Sequence, residues 1–74
     1  MRITLSNGGE ETVVNVPLAS QVGAVREQYD ALEDIGAPSS YTFAVNGAGV
    51  DDSHVLREGD IVTFRPRSGE KGGN

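Results

Sequence analysis

The sequence predicts a small α+β domain in which one helix covers one face of a mixed sheet. Near both ends of the chain, apolar residues alternate with polar ones, as in strands that bury a single face. Between these stretches the apolar spacing changes to that of an amphipathic helix. Turn-forming pairs such as Asn-Gly and Gly-Asp separate the segments. A single helix lying across the sheet is the economical way to bury these apolar faces.

The first two strands are predicted to form a hairpin. Ile3 and Leu5 alternate with polar residues, and Asn7-Gly8-Gly9 follows them. Each residue of this turn tolerates a positive φ, which makes it a strong chain-reversal signal. The alternation then resumes, with Val14 and Val16 as the inward-facing residues of the second strand.

One amphipathic helix is predicted to follow the hairpin. Its apolar stripe, at positions i, i+3, i+7 and i+10, consists of Val22, Val25, Tyr29 and Leu32. Ser20 is the predicted N-cap, and Gly36 is the predicted residue just past the C-terminus, with Pro38 blocking continuation. Gly23 weakens the first turn, and we expect it to permit close packing on the sheet.

The C-terminal half is predicted to return to strands. A third strand has its alternation in Tyr41, Phe43 and Val45 and ends at Asn46-Gly47. A short extended piece at Val50 and a core anchor at Leu56 precede the turn Gly59-Asp60.

The last predicted strand runs from Ile61 to Pro66, with Val62 and Phe64 facing inward. The domain therefore spans residues 1–66, and residues 67–74 form a flexible, Gly-rich tail. The predicted core consists of Ile3, Leu5, Val14, Val16, Val22, Val25, Tyr29, Leu32, Phe43, Val45, Leu56, Val62 and Phe64. The element order is that of a ubiquitin-like β-grasp domain with a mixed four- to five-stranded sheet.

The composition excludes several classes of function. Seventy-four residues fit one domain, and the absence of Cys rules out disulfides, thiolate metal sites and a cysteine nucleophile. With 11 acidic and 6 basic residues, the net charge of −5 disfavours non-specific binding to nucleic acid. No apolar run approaches the length of a membrane span, and the alternation that starts at Arg2 leaves no room for a signal peptide. We expect a soluble, cytoplasmic monomer.

Catalysis within the chain has little support. Asp51, Asp52 and His54 place two carboxylates and an imidazole close together, but their spacing matches no established metal site. We interpret the two aspartates and Ser53 as turn and capping residues, with His54 exposed. Asn7-Gly8-Gly9 lies between strands, so it is a turn and not a phosphate-binding loop. The sequence predicts a protein that is not an enzyme and holds no metal or cofactor.

The C-terminal half resembles the ThiS/MoaD family, the small sulfur carriers of thiamin and molybdopterin synthesis. The resemblance rests on Val45-Asn46-Gly47, Val50, Leu56, Gly59-Asp60, Val62, Phe64 and Pro66, with Val22-Gly23 and Val25 at the helix start. Family members end in a Gly-Gly tail, and this sequence carries Gly72-Gly73 followed by Asn74.

The resemblance implies a specific chemistry for the tail. In the family an E1-like adenylating enzyme activates the terminal glycine carboxylate, which then becomes a thiocarboxylate or, in ubiquitin-like relatives, an isopeptide bond to a lysine. Applied to this sequence, the resemblance implies that Gly73 is the reacting residue and that Gly72 is its neighbour without a side chain. Because Asn74 departs from the pattern, a processing protease is expected to remove it. Fully extended, the eight residues after Pro66 reach about 26 Å, enough to enter a partner's active site.

We therefore expect a sulfur carrier or ubiquitin-like modifier, whose partners are the activating enzyme, the protease and a sulfur-acceptor enzyme or target lysines. The alternative is a non-covalent interaction module of the same fold with an inert tail. A regulatory module of the TGS type shares the V-N-G and G-D turns, but such modules normally belong to longer chains.

The charged residues have simpler interpretations. Glu27, Asp30 and Asp34 are predicted to form a solvated acidic stripe on the helix. Arg65, Arg67 and Lys71 are predicted to keep the end of the chain solvated.

Overall fold

A computed structural model describes residues 1–38 and 40–66 of the chain. Five strands form the sheet: β1 Arg2–Asn7, β2 Glu10–Asn15, β3 Thr42–Val45, β4 Ala48–Val50 and β5 Ile61–Arg65. Between β2 and β3 lie a 3₁₀ helix, Val22–Glu27, and a short α-helix, α1 Tyr29–Asp34. The predicted tail, residues 67–74, lies outside the described residues.

The strand order across the sheet is β2-β1-β5-β3-β4. Both hairpins are antiparallel, and β5 lies between them, parallel to β1 and antiparallel to β3. The last strand therefore lies at the centre of the sheet, and the crossover between the hairpins contains both helical segments.

The register places alternate residues on two faces. The inner face carries the buried apolar side chains and is covered by the helical crossover. Phe43 and Phe64 lie opposite each other there, with ring centroids 5.2 Å apart in an edge-to-face arrangement. All predicted core residues are buried except Tyr29, and four more buried residues were missed: Ala31, Ile35, Ala37 and Ala44.

The helix prediction was wrong in three respects. The backbone leaves the helical region at Gln28 (φ −87°, ψ 68°), so a 3₁₀ helix and α1 replace one continuous helix. Tyr29, just after this break, points outward and is 67% exposed. The N-cap of the 3₁₀ helix is Gln21, whereas the Ser20 hydroxyl donates to the carbonyl of Pro17 at 2.7 Å.

Gly23 packs against a loop and not against the sheet. Its N–H donates to the carbonyl of Asp52 at 2.9 Å. A Cβ built on Gly23 would lie 3.0 Å from the Cβ of Asp52, so any larger residue would push this loop outward, and glycine favours the close approach.

The end of α1 follows the prediction from Gly36. This residue has φ +67°, and its N–H donates to the carbonyl of Glu33. The next N–H, of Ala37, donates to the carbonyl of Leu32 at 2.9 Å. The left-handed Gly36 and these two hydrogen bonds together form a Schellman motif, which satisfies the last carbonyls of the helix.

Asn46-Gly47 is the two-residue turn of the β3–β4 hairpin. Both residues have positive φ, 51° and 90°, as a type I′ turn requires. The Asn46 side chain also accepts from the N–H of Ile61 and donates to Asp60 Oδ1, both at 3.0 Å. The predicted V-N-G and G-D turns therefore contact each other and fix the start of β5 against β3.

Replacing Gly36 with Ala should lower the free energy of unfolding by about 1–2 kcal/mol, because an L-residue pays that much for the left-handed backbone. A Cβ there would meet nothing within 4 Å, so the backbone alone would account for the loss. Urea unfolding followed by circular dichroism measures the difference. Gly9→Ala is the control, since Gly9 has no left-handed φ and no close neighbour. Equal losses in both variants would contradict the prediction.

Candidate functional site

The predicted site residues, Gly72, Gly73 and Asn74, lie outside the described residues, so the structure positions only the strand that leads to them. That strand is β5, which is paired on both sides. The Thr42 hydroxyl donates to the carbonyl of Arg65 at 3.1 Å, so side-chain and ladder bonds hold β5 up to its last residue. Beyond Thr63, β5 pairs with β3 alone, so the tail follows a strand end that is held on one side.

The outer face of the sheet, opposite the helical crossover, carries a partly apolar surface. Val13 on β2 and Ile61 on β5 are 50% and 46% exposed, and both are cross-strand neighbours of Thr4 on β1. Thr63 continues this surface along β5. We call these four residues the outer patch. Single exposed aliphatic side chains are common, but a cluster in register on a sheet face is a candidate contact surface.

Exposed cations lie beside the outer patch. Arg2 and Arg65 project from β1 and β5 onto the same face, as their register partners Asn15 and Thr42 show. Arg57 is exposed in the loop before β5. Glu11, the register partner of Ser6, lies on the same face, which therefore carries charges of both signs.

The acidic residues of the crossover do not form the single helical stripe that was predicted. Glu27 belongs to the 3₁₀ helix, whereas Asp30 and Asp34 belong to α1, and the break at Gln28 separates them. All three carboxylates are exposed. Glu27 Oε1 accepts from the Tyr29 hydroxyl at 3.4 Å.

The loop that contains Asp51 and His54 is structural. Asp51 Oδ1 accepts from the Ser53 hydroxyl at 2.7 Å and from the Ser53 N–H at 3.1 Å. These hydrogen bonds lower the pKa of Asp51, which is fully exposed. His54 is exposed, as predicted. No three potential metal ligands come together anywhere in residues 1–38 and 40–66.

Asp52 is the anchor of this loop. Arg26 Nε and Nη2 donate to its two carboxylate oxygens at 2.9 Å each, in a bidentate pair. Arg26 Nη1 also donates to the carbonyl of Tyr41 at 2.7 Å, and the guanidinium lies 4.3 Å from the ring centroid of Phe43. The hydrogen bond to Asp52 raises the pKa of Arg26 above its ordinary value. We call this arrangement the Arg26 clamp; sequence reasoning missed it because its partners are distant in the chain.

An open depression of about 280 Å³ lies near the start of β5, lined by Val45, Asn46, His54, Val55, Arg57 and Asp60. Its acidic group is already occupied, because the two oxygens of Asp60 accept from the Asn46 amide and from the N–H of Arg57. These bonds stabilise the turn before β5, and they account for the polar lining without a ligand.

The strand order, the helical crossover and the central last strand define the ubiquitin-like β-grasp fold, which confirms the predicted class. A molybdopterin converting factor subunit 1 from Pyrococcus furiosus is similar, with a TM-score of 0.66, 18% identity, and 88% of this chain and 95% of that chain covered. A ubiquitin-like protein from the archaeon Caldiarchaeum subterraneum is also similar, with a TM-score of 0.55, 23% identity, and 92% and 97% covered.

At these identities the likeness shows the fold shared with MoaD-like and ubiquitin-like proteins. No protein-family model matches the chain, and no curated protein matches it significantly. None of the helices in the described part of the chain is long and apolar enough to cross a membrane.

Replacing Arg26 with Lys should lower the free energy of unfolding by about 1 kcal/mol, because an ammonium cannot form the bidentate pair and also reach the Tyr41 carbonyl. The figure is modest because Asp52 is 58% exposed and its charge is screened by solvent. Chemical unfolding with fluorescence or circular dichroism provides the measurement. Arg57→Lys is the control, since no ion pair joins Arg57 to the rest of the described chain. A clamp variant as stable as the control would refute the structural role.

Proposed function

We propose that this chain is a small protein carrier, a sulfur carrier or a ubiquitin-like modifier, activated at Gly73 by an E1-like adenylating enzyme after removal of Asn74. The observation that carries the proposal is the position of Gly72-Gly73 shortly after β5, the central strand of a ubiquitin-like β-grasp sheet. The chain itself performs no catalysis and acts in the cytoplasm.

The proposed reaction uses only the C-terminal carboxylate of the chain. Hydrolysis of the Gly73–Asn74 peptide bond frees this carboxylate. One of its oxygens attacks the α-phosphate of ATP, which releases pyrophosphate and leaves an acyl adenylate on Gly73. Hydrosulfide or a lysine amine then displaces AMP and loses a proton, giving a thiocarboxylate or an isopeptide bond. The mixed anhydride is formed and consumed on the partner enzyme, so the carrier needs no base or nucleophile of its own.

The fold supports this role in two ways. The double pairing of β5 fixes the point from which the tail leaves the domain. From Pro66 the seven residues that remain after removal of Asn74 reach about 23 Å when extended, and two residues without Cβ fit a narrow channel.

A non-covalent interaction module is the alternative function, and the outer patch is the observation that favours it. Val13 and Ile61 expose about half of their surface on the outer face, with Arg2 and Arg65 on the same face. In this alternative the patch binds a partner and the tail is inert.

Replacing Gly73 with Ala should abolish activation, because the added methyl group obstructs a channel shaped for glycine. The measurement is ATP–pyrophosphate exchange catalysed by the activating enzyme, with a chain that ends at residue 73. Gly69→Ala is the matched control: it adds the same methyl group four residues earlier and should retain exchange. The same rate of exchange for Gly73→Ala and Gly69→Ala would overturn the carrier proposal.

Deleting residues 71–74 separates the two functions. A carrier should lose all product formation, whereas an interaction module should keep its affinity for the partner. Ile61→Ser provides the reciprocal change, because it removes apolar surface from the outer patch and leaves the tail intact. In a docking module it should weaken binding, measured by calorimetry, at least tenfold. An interaction that survives Ile61→Ser but not the deletion would exclude the alternative.

The intact mass of the protein from its own cells, with sequencing of the C-terminal peptide, tests processing directly. A species that ends at Gly73, with one oxygen replaced by sulfur or with the glycine joined to a lysine, is the expected result. An unmodified chain that still ends in Asn74 while the protein is active would contradict the carrier proposal.

A further inference from the structure

The strand β2 forms a free border of the sheet. Its six residues pair with β1 on one side only, and the opposite border, β4, has just three residues. The pairing with β1 is continuous from Arg2↔Asn15 to Asn7↔Glu10, so no bulge or proline interrupts this edge. Long, regular edge strands are templates for pairing with another extended segment.

The hydrogen bonds at the end of the hairpin show which backbone groups of β2 face outward. Met1 and Val16 exchange both bonds, at 2.6 and 2.9 Å. In an antiparallel ladder such pairs alternate with pairs that exchange none. Counting from Met1↔Val16, the pairs that exchange no hydrogen bond are Arg2↔Asn15, Thr4↔Val13 and Ser6↔Glu11.

Three N–H groups and three carbonyls consequently point away from the sheet, at Glu11, Val13 and Asn15. None of them bonds to another residue in the described part of the chain. All three residues are exposed. The edge thus offers up to six hydrogen bonds, which suffices for an added strand of about five residues.

The surroundings of this edge are acidic. Glu10 and Glu11 lie at its start, and α1, which packs against β2, carries Asp30, Glu33 and Asp34 at its surface. The Asn7 amide donates to the carbonyl of Ile35 at 2.8 Å, so the end of α1 lies beside the β1–β2 turn. Residues 3–25 and 27–56 contain no Lys or Arg.

We propose that the β2 edge binds an extended, basic segment of a partner protein by strand addition. Backbone pairing at Glu11, Val13 and Asn15 provides affinity, and the Lys or Arg side chains of an alternating segment face Glu10 and the carboxylates of α1 on the helical side of the sheet. Val13 offers an apolar contact for an aliphatic residue of the segment. This interaction goes beyond the proposed carrier function. It involves no residue of the tail and none of the buried side chains on the inner face of the sheet.

A second copy of this chain fits the edge less well than a basic segment. Two copies, each with a net charge of −5, would bring their own Glu10 and Glu11 into one interface. Like charges brought together across an interface oppose association. The proposal therefore commits to a hetero-partner.

The test uses the full chain and a synthetic peptide of alternating Lys and Val, with a Glu–Val peptide as the charge-reversed probe. In the free protein, the amides of Glu11, Val13 and Asn15 should exchange with solvent faster than those of Thr12 and Val14. The Lys–Val peptide should slow exchange at the three outward amides specifically, as read by NMR, and the Glu–Val peptide should not.

Val13→Pro removes one outward N–H without breaking a bond to β1, and proline is tolerated at such edge positions. It should weaken Lys–Val binding about tenfold or more. Gly49→Pro is the matched control on the other edge. Val45 and Ala48 flank the two-residue turn and are therefore a hydrogen-bonded pair. The N–H of Gly49, one position further along β4, then points away from β3 at the free edge of the sheet. This control should bind as the unchanged chain does.

Glu10→Lys keeps every backbone group and should also weaken binding, which guards against a misfolded proline variant. Gly73→Ala should bind the peptide normally, so failure of the carrier proposal and of this one are distinguishable. The proposal is overturned if the Lys–Val peptide does not bind at millimolar concentration, or if it protects amides elsewhere. Equal binding by Val13→Pro and Gly49→Pro, or a β2-mediated homodimer in sedimentation, would also overturn it.

Discussion

The parallel pairing of β1 with β5 is the interaction on which the rest of the structure depends. It joins residues from opposite ends of the chain, such as Thr4 with Ile61 and Ser6 with Thr63, and makes one sheet out of two hairpins. An isolated two-stranded hairpin is marginally stable in water, so neither half is expected to persist alone. Parallel neighbours also require a long crossover, which here covers the inner face. The same pairing places the strand before the tail at the centre of the sheet, which is the feature on which the proposed carrier function rests.

The crossover is held by tertiary hydrogen bonds rather than by helical propensity. Both helical segments have six residues, too few for a stable helix in isolation. The N–H groups of Val22 and Gly23 donate to the carbonyls of His54 and Asp52 at 2.7 and 2.9 Å. The Arg26 clamp adds side-chain bonds to the same loop. The loop with Asp51, Asp52 and His54, whose sequence suggests a metal site, therefore holds the crossover against the end of the β3–β4 hairpin.

Features set by neighbouring residues were predicted from the sequence, and features set by contacts between distant residues were missed. The strands and the stop at Gly36 were predicted correctly, because alternation and a left-handed glycine are local signals. The helix was predicted too long, because the apolar spacing continues across Gln28 and gives no sign of the break there. Ala44 is fully buried on the outer-face side of β3, where alternation alone predicts exposure. The Arg26–Asp52 pair joins residues 26 positions apart, so neither local segment carries a signal for it. The tail residues carry their signal only through resemblance.

The β2 edge and the strand that precedes the tail are distinct parts of the sheet. One strand, β1, lies between β2 and β5, so the edge is roughly 10 Å from the strand that carries the tail. The carboxylates of α1 lie on the helical side of the sheet, whereas Arg2 and Arg65 share the outer face with Glu11. Attraction between exposed charges fades over about 10 Å at 0.1 M salt, so each surface selects its partner locally. A basic segment added to β2 would cover Val13 at the border of the outer patch, whereas Ile61 and Thr63 lie on β5, beyond β1, so the two proposed interactions share only Val13.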